Sequence, residues 1–169
     1  MFGLKHISRW QFACVRIALG SYLLIHFSQL IPFAGELFSS EGTLGDSSLS
    51  PLFTGLPSPF WINDSALAAT AVLLFATIVS IALIVGWQRK LMAVLLLYVW
   101  ACLFCRNPLI ANPSLGYIGL ILVLSALVPC HETVRFGRSD ANKWYYPSGV
   151  YWVAWILLAV GYTFSGLIK

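Results

Sequence analysis

From Gly149 to Ile168 the chain runs without a single charged residue, and the stretch closes on Lys169. That is about the ~20 residues an α-helix needs to cross the core of a bilayer. Four further apolar runs precede it, at about 10–31, 65–87, 91–105 and 115–130, separated by proline-, glycine- or charge-bearing segments. Only 9% of the 169 residues are charged, against roughly 25% in soluble domains, so little is left from which to build a water-soluble globule. The expected fold is all-α: one multi-pass membrane domain over residues 1–169, a polytopic helical bundle of about five transmembrane helices. The basic start MFGLKHISRW resembles a signal peptide, but the run behind it is long, contains Arg16 and lacks a small-residue cleavage site, so it reads as the first span.

The net charge of +4 does not point to nucleic acid, because the basic residues are scattered between apolar spans rather than gathered on a patch. They read as topology signals. Lys5, Arg9, Arg89, Lys90, Arg135, Arg138 and Lys143 fall on one side of the weave, whereas Arg106 and Lys169 fall on the other. The positive-inside rule then makes the N-terminus cytoplasmic and turns the C-terminal end outward. The outward segment Pro32 to Asp64 carries Glu36, Glu41, Asp46 and Asp64 without a lysine or arginine. Its inner part, FSSEGTLGDSSLSPLF, has turn-forming composition, LPSPFW suits a short interfacial segment, and a loop of this length is often functional. Asn63, Asp64 and Ser65 are candidate caps for the second span. The outward loop RNPLIANPS breaks the helix with two prolines and two asparagines, and its apolar pair is expected to fold back against protein.

Five residues could carry chemistry. Arg16 and His26 share the first span, about 80° apart around the helix and about 15 Å along it; an ionisable residue at membrane depth is costly and is by default a functional candidate. The structural alternatives are that Arg16 snorkels toward headgroups and that His26 bonds a neighbouring carbonyl. Cys102 and Cys105 form a C-x-x-C on one helical face, a redox candidate on an oxidising side of a membrane, although residues three apart on a helix strain a disulfide and simple packing explains both thiols. Lys169 is either an interfacial anchor or, if desolvated, a base. The three histidines are too far apart for a metal site, and nucleotide-binding and hydrolase motifs are absent.

VRIALGSYLLIH in the first span, the FSSEGTL loop, the span ending GWQRK, the RNPLIANPSLGYIGL passage and the closing YTFSGLIK recur in this order in a known group. The chain resembles the membrane part of vitamin K-dependent gamma-carboxylases and their bacterial relatives, the horizontally transferred transmembrane (HTTM) domain family. The resemblance implies a helical bundle in a bacterial inner (plasma) membrane with its working face outward. It aligns Tyr162, Gly166 and Lys169 with the carboxylase's closing motif, whose lysine is the base toward the hydroquinone, and it aligns Arg16 and Gly20 with the first-span pattern, which small DoxX-type membrane proteins share. Pro113 stands where the carboxylase has a histidine, and the later helices and lumenal substrate domain have no counterpart within 169 residues. The implied function is therefore a subunit or accessory of a larger assembly, with the lipid bilayer and a membrane protein as partners. The alternative is an enzyme or redox protein acting on a quinone, lipid or exported peptide with Lys169 as base, for which a quinone is the candidate cofactor.

Overall fold

The computed structural model describes residues 7–46, 49–50, 55–110, 114–129 and 146–167. Among the described residues all regular structure is helical: α1 (Arg9–Leu30), α2 (Ala34–Phe38), α3 (Ala66–Val85), α4 (Arg89–Arg106), α5 (Ser114–Leu127) and α6 (Ser148–Leu167). The five long helices coincide with the five apolar runs. Short 3-10 turns lie at Ile31–Phe33, Pro59–Trp61 and Pro108–Ile110.

Local chemistry sets the ends. Ser8 and Gln11 start α1 with a reciprocal cap: the Ser8 hydroxyl accepts from the Gln11 N–H at 3.2 Å, and the Gln11 side chain accepts from the Ser8 N–H at 2.8 Å. Of the three candidate caps for α3, Ser65 takes the role by accepting from the Ala68 N–H at 3.3 Å, and Asn63 braces it by accepting from the Ser65 N–H at 3.0 Å. Gly86 ends α3 in the left-handed region at φ 83°, where a side chain would be strained. The Trp87 N–H then returns to the Ala82 carbonyl at 3.0 Å, a helix-ending turn that satisfies a terminal acceptor. Gln88, also left-handed at φ 39°, completes the reversal and α4 begins at Arg89. α4 stops where Asn107 goes extended ahead of Pro108.

Neighbouring helices pack in a chain: α1 on α3, α3 on α4, α4 on α5, and α6 chiefly on α5. Leu19, Leu23 and Phe27 of α1 meet Leu73, Ala76 and Leu83 of α3, and Met92, Leu96 and Leu103 of α4 extend this core to Leu122 of α5. α6 runs antiparallel to α5, since Tyr117 near the start of one stacks on Tyr162 near the end of the other, ring centroids 5.7 Å apart.

In the Pro32 to Asp64 segment residues 39–44 form turns and bends, as the composition of the inner part suggests, but the segment is not all loop. α2 forms inside it, and Phe38 stacks on Phe60 at 6.4 Å with both rings buried. Turn-forming composition is a local signal; it does not register that aromatic residues far apart in sequence can bury one another. In the 108–110 turn the apolar pair divides: Ile110 packs against the core, whereas Leu109 is 72% exposed and does not fold back.

The tightest crossing is at Gly20, where an added Cβ would lie 2.6 Å from Ile84 Cγ1 and 3.3 Å from the Ile84 backbone nitrogen. α1 and α3 touch there almost backbone to backbone. Gly20→Val is expected to destabilise the protein by about 1–3 kcal/mol through overpacking, read as a fall in the thermal unfolding midpoint of the purified protein; an unchanged midpoint would contradict this crossing.

Candidate functional site

Three buried arginines organise the two ends of the bundle. At the end formed by the start of α1, the α3–α4 turn and the finish of α5, Arg16 is 1% exposed and its Nη1 donates to the Leu83 and Ile84 carbonyls, each at 2.5 Å. These are carbonyls of the last turn of α3, of which Leu83 O also accepts from the Gly86 N–H at 3.1 Å, and they carry the negative end of the helix dipole. Arg16 therefore does not snorkel outward; it caps a neighbouring helix. Arg89, one of the positive charges counted on one side of the weave, is 3% exposed. It donates to the Ser125 carbonyl, to Val128 O at 2.5 Å and to Pro129 O at 2.9 Å, and its guanidinium lies 5.1 Å from the Phe12 ring centroid. One side chain thus joins α4, α5 and α1.

The opposite end carries the site with the most converging polar groups. Arg106, at the last position of α4, is fully buried. Its Nη1 donates to the Leu44 carbonyl at 2.8 Å, and its Nη2 is paired with the Asp64 carboxylate at 3.8 Å. Asp46 adds a second negative charge to the field at Arg106. Asn107 follows: its amide donates to the Leu37 carbonyl at 2.8 Å and its oxygen accepts from the Leu109 N–H at 3.1 Å. Two more ties hold the segment down on α4, from the Ser50 hydroxyl to the Cys105 carbonyl at 2.6 Å and from the Tyr98 hydroxyl to the Pro57 carbonyl at 2.7 Å. The Ser40 N–H donates to the Asp64 carbonyl at 3.0 Å, which joins the two ends of the segment. The result is a polar cap drawn over the helix ends, with Glu36, Glu41 and Asp46 exposed on its surface.

The residues singled out from sequence do not converge on one centre. Arg16 belongs to the end of α3. His26 lies in the other half of α1 and is held by rings: it stacks on Tyr22 at 5.8 Å and tilts against Trp100 of α4 at 5.2 Å. Ring contacts, rather than the expected carbonyl bond, describe its setting. Cys102 is buried and Cys105 half-buried, and both are free thiols, with Cys102 Sγ 3.9 Å from the Pro57 carbonyl. The pair underlies the cap. Lys169 and Pro113 lie outside the described residues, as does Cys130.

Arg106, Asn107 and Asp64 were missed as a unit. The available signal was charge balance: a segment with four carboxylates and no cation of its own, facing a loop that opens on an arginine. No known protein family, curated protein or solved structure matches the chain.

Arg106→Leu removes a charge-assisted bond of about 1.5–3 kcal/mol together with the ion pair to half-buried Asp64. Faster limited proteolysis within residues 40–46 and a lower unfolding midpoint are the expected results; cleavage at the wild-type rate would show that Arg106 does not hold the cap.

Proposed function

We propose that this chain is an integral protein of a bacterial inner membrane, a member of the carboxylase-like HTTM family that works as a subunit or accessory of a larger membrane assembly. Its N-terminus is cytoplasmic, and the capped end with the C-terminal end of α6 faces outward. The observation that carries the membrane part is the arrangement of polarity. Arginines are buried against carbonyls, while large apolar side chains are exposed on every long helix: Trp10 and Ile25 on α1, Leu67 and Ile78 on α3, Leu91 and Val94 on α4, Leu127 on α5, and Trp152 and Ile156 on α6.

A soluble monomer rarely exposes apolar surface on such a scale. Two helical stretches, Arg9–Phe38 and Ala66–Val85, are long and apolar enough to cross a bilayer, yet only 28% and 33% of their apolar windows are buried. A soluble core helix would be mostly buried. Lipid supplies the missing contacts.

The subunit part is supported by α6 and by the cap. α6 packs chiefly on α5 and leaves Trp152, Trp155, Ile156 and Val160 exposed along it, a surface on which a partner's helix can pack. Arg106 and Asn107 are engaged with the cap's own backbone, which fits a scaffold better than a reacting centre. The family reading is further supported by Arg16 and Gly20 acting together at the α1–α3 crossing, one capping α3 and the other allowing close approach.

A periplasmic reporter fused after Ser50 is expected to be active, and gentle-detergent purification from native membranes is expected to bring a stoichiometric protein partner. Lys169→Arg should leave that complex and its function intact. A cytoplasmic reporter would overturn the orientation. A chain that purifies alone and loses its function at normal protein level with Lys169→Arg would replace the subunit reading with that of an enzyme using Lys169 as base.

A further inference from the structure

At the basic end a cavity of about 410 Å³ lies between α1 and α5. It exists because α1 is packed on α3 and α5 on α4, with no extensive contact joining α1 to α5. Arg89 holds the two walls in place, since its guanidinium lies over Phe12 of one and bonds the Ser125 carbonyl of the other. The inner walls are apolar, with Val15 on α1 and Ile121 and Leu124 on α5. Polar groups gather toward one end: Gln11 in the first turn of α1, and Tyr146 just ahead of α6, with its ring 6.1 Å from that of Phe12. Burial pushes the Tyr146 phenol above its ordinary pKa, so it remains a neutral hydrogen-bond donor.

We propose that this cavity holds one acyl chain of an anionic phospholipid of the cytoplasmic leaflet, with the headgroup at the Tyr146 and Gln11 end. This inference rests on the membrane reading above. Polarity is the first argument: past Gln11 the groove runs along Val15 of α1 and Ile121 and Leu124 of α5, an apolar lining that suits hydrocarbon. Size is the second: a helix is about 10–12 Å across with its side chains and cannot enter 410 Å³, whereas a single extended hydrocarbon chain can. Charge is the third. Arg9 opens α1 two residues before Gln11, and exposed Lys90 follows Arg89 on α4, which puts cations at the same end of the bundle as the polar mouth. Cations beside the cytoplasmic leaflet attract anionic headgroups.

The test is native mass spectrometry of the full chain purified in mild detergent and titrated with phosphatidylglycerol or phosphatidylcholine. One phosphatidylglycerol should bind, at least tenfold tighter than phosphatidylcholine. Val15→Trp and Leu124→Trp, which fill the groove, should each weaken it at least fivefold, while Ile78→Trp on the exposed face of α3 leaves it unchanged. Lys90→Gln lies on the surface and should narrow the preference for phosphatidylglycerol without changing the fold, which keeps the test valid if a tryptophan variant misfolds.

Equal binding of the two lipids, or undiminished binding by both groove variants, overturns the proposal. So does a protein subunit that is lost from Val15→Trp while the lipid remains. Alkaline carbonate extraction separates the two levels of inference: a chain washed from native membranes refutes the membrane reading itself, whereas a chain that stays embedded but binds lipid alike in every variant refutes the groove alone.

Discussion

Arg16 and Arg89 each place a guanidinium against the carbonyl end of a neighbouring helix, and the relation of the helices depends on those contacts. A helix leaves its last carbonyls without partners and gathers partial negative charge there. In water such groups are cheaply solvated. On the membrane reading they would face lipid, which offers no hydrogen bonds and no hydrophobic force to bring helices together. A buried cation donating several hydrogen bonds answers both problems. Arg16 binds α1 to α3, Arg89 binds α4 to α5 and touches α1, and Arg106 holds a loop through the Leu44 carbonyl.

The two ends consequently differ in kind. At one, arginines clamp helix to helix and a lateral groove remains between α1 and α5. At the other, Arg106 and Asn107 pull an irregular segment down onto α4, and the buried Phe38 and Phe60 pair gives that segment a centre of its own. Its polar side chains mostly serve its own backbone, as the Thr43 hydroxyl does for the Glu36 carbonyl. Glu36, Glu41 and Asp46 reach its surface, beside exposed Phe33, Leu49, Trp61 and Ile62. His26, Trp100 and the two thiols lie on the helices beneath.

The helices were largely legible before any coordinates, because apolar runs bounded by Ser65, Gly86 or Asn107-Pro108 state their own limits. The side each helix turns inward was not. In α3 the buried Leu73, Ala76 and Leu83 and the exposed Leu67, Leu74 and Ile78 are alike in hydropathy, so no apolar stripe distinguishes core from periphery. The packing of Arg89 was not legible for a related reason: a count of positive charges assigns an arginine to a side of the weave and says nothing of its partners, and only the path of α5 reveals the carbonyls it meets. The Arg106 cluster depends on Leu44 and Asp64, 62 residues before it in the first case, a pairing that local composition cannot express.

Arg16 has a consequence for biosynthesis. On the membrane reading, the first helix leaves the ribosome carrying a guanidinium whose acceptors, the carbonyls of residues 83 and 84, have not yet been translated. An arginine costs at least ~2.5 kcal/mol at the centre of a lone helix on insertion scales, and part of that at the depth of Arg16, about two turns into α1. α1 is thus a reluctant anchor by itself, and the translocon has reason to retain it until α3 arrives. The close approach at Gly20 then lets the pair leave as a unit, so the order in which this bundle is assembled is written into the position of one side chain.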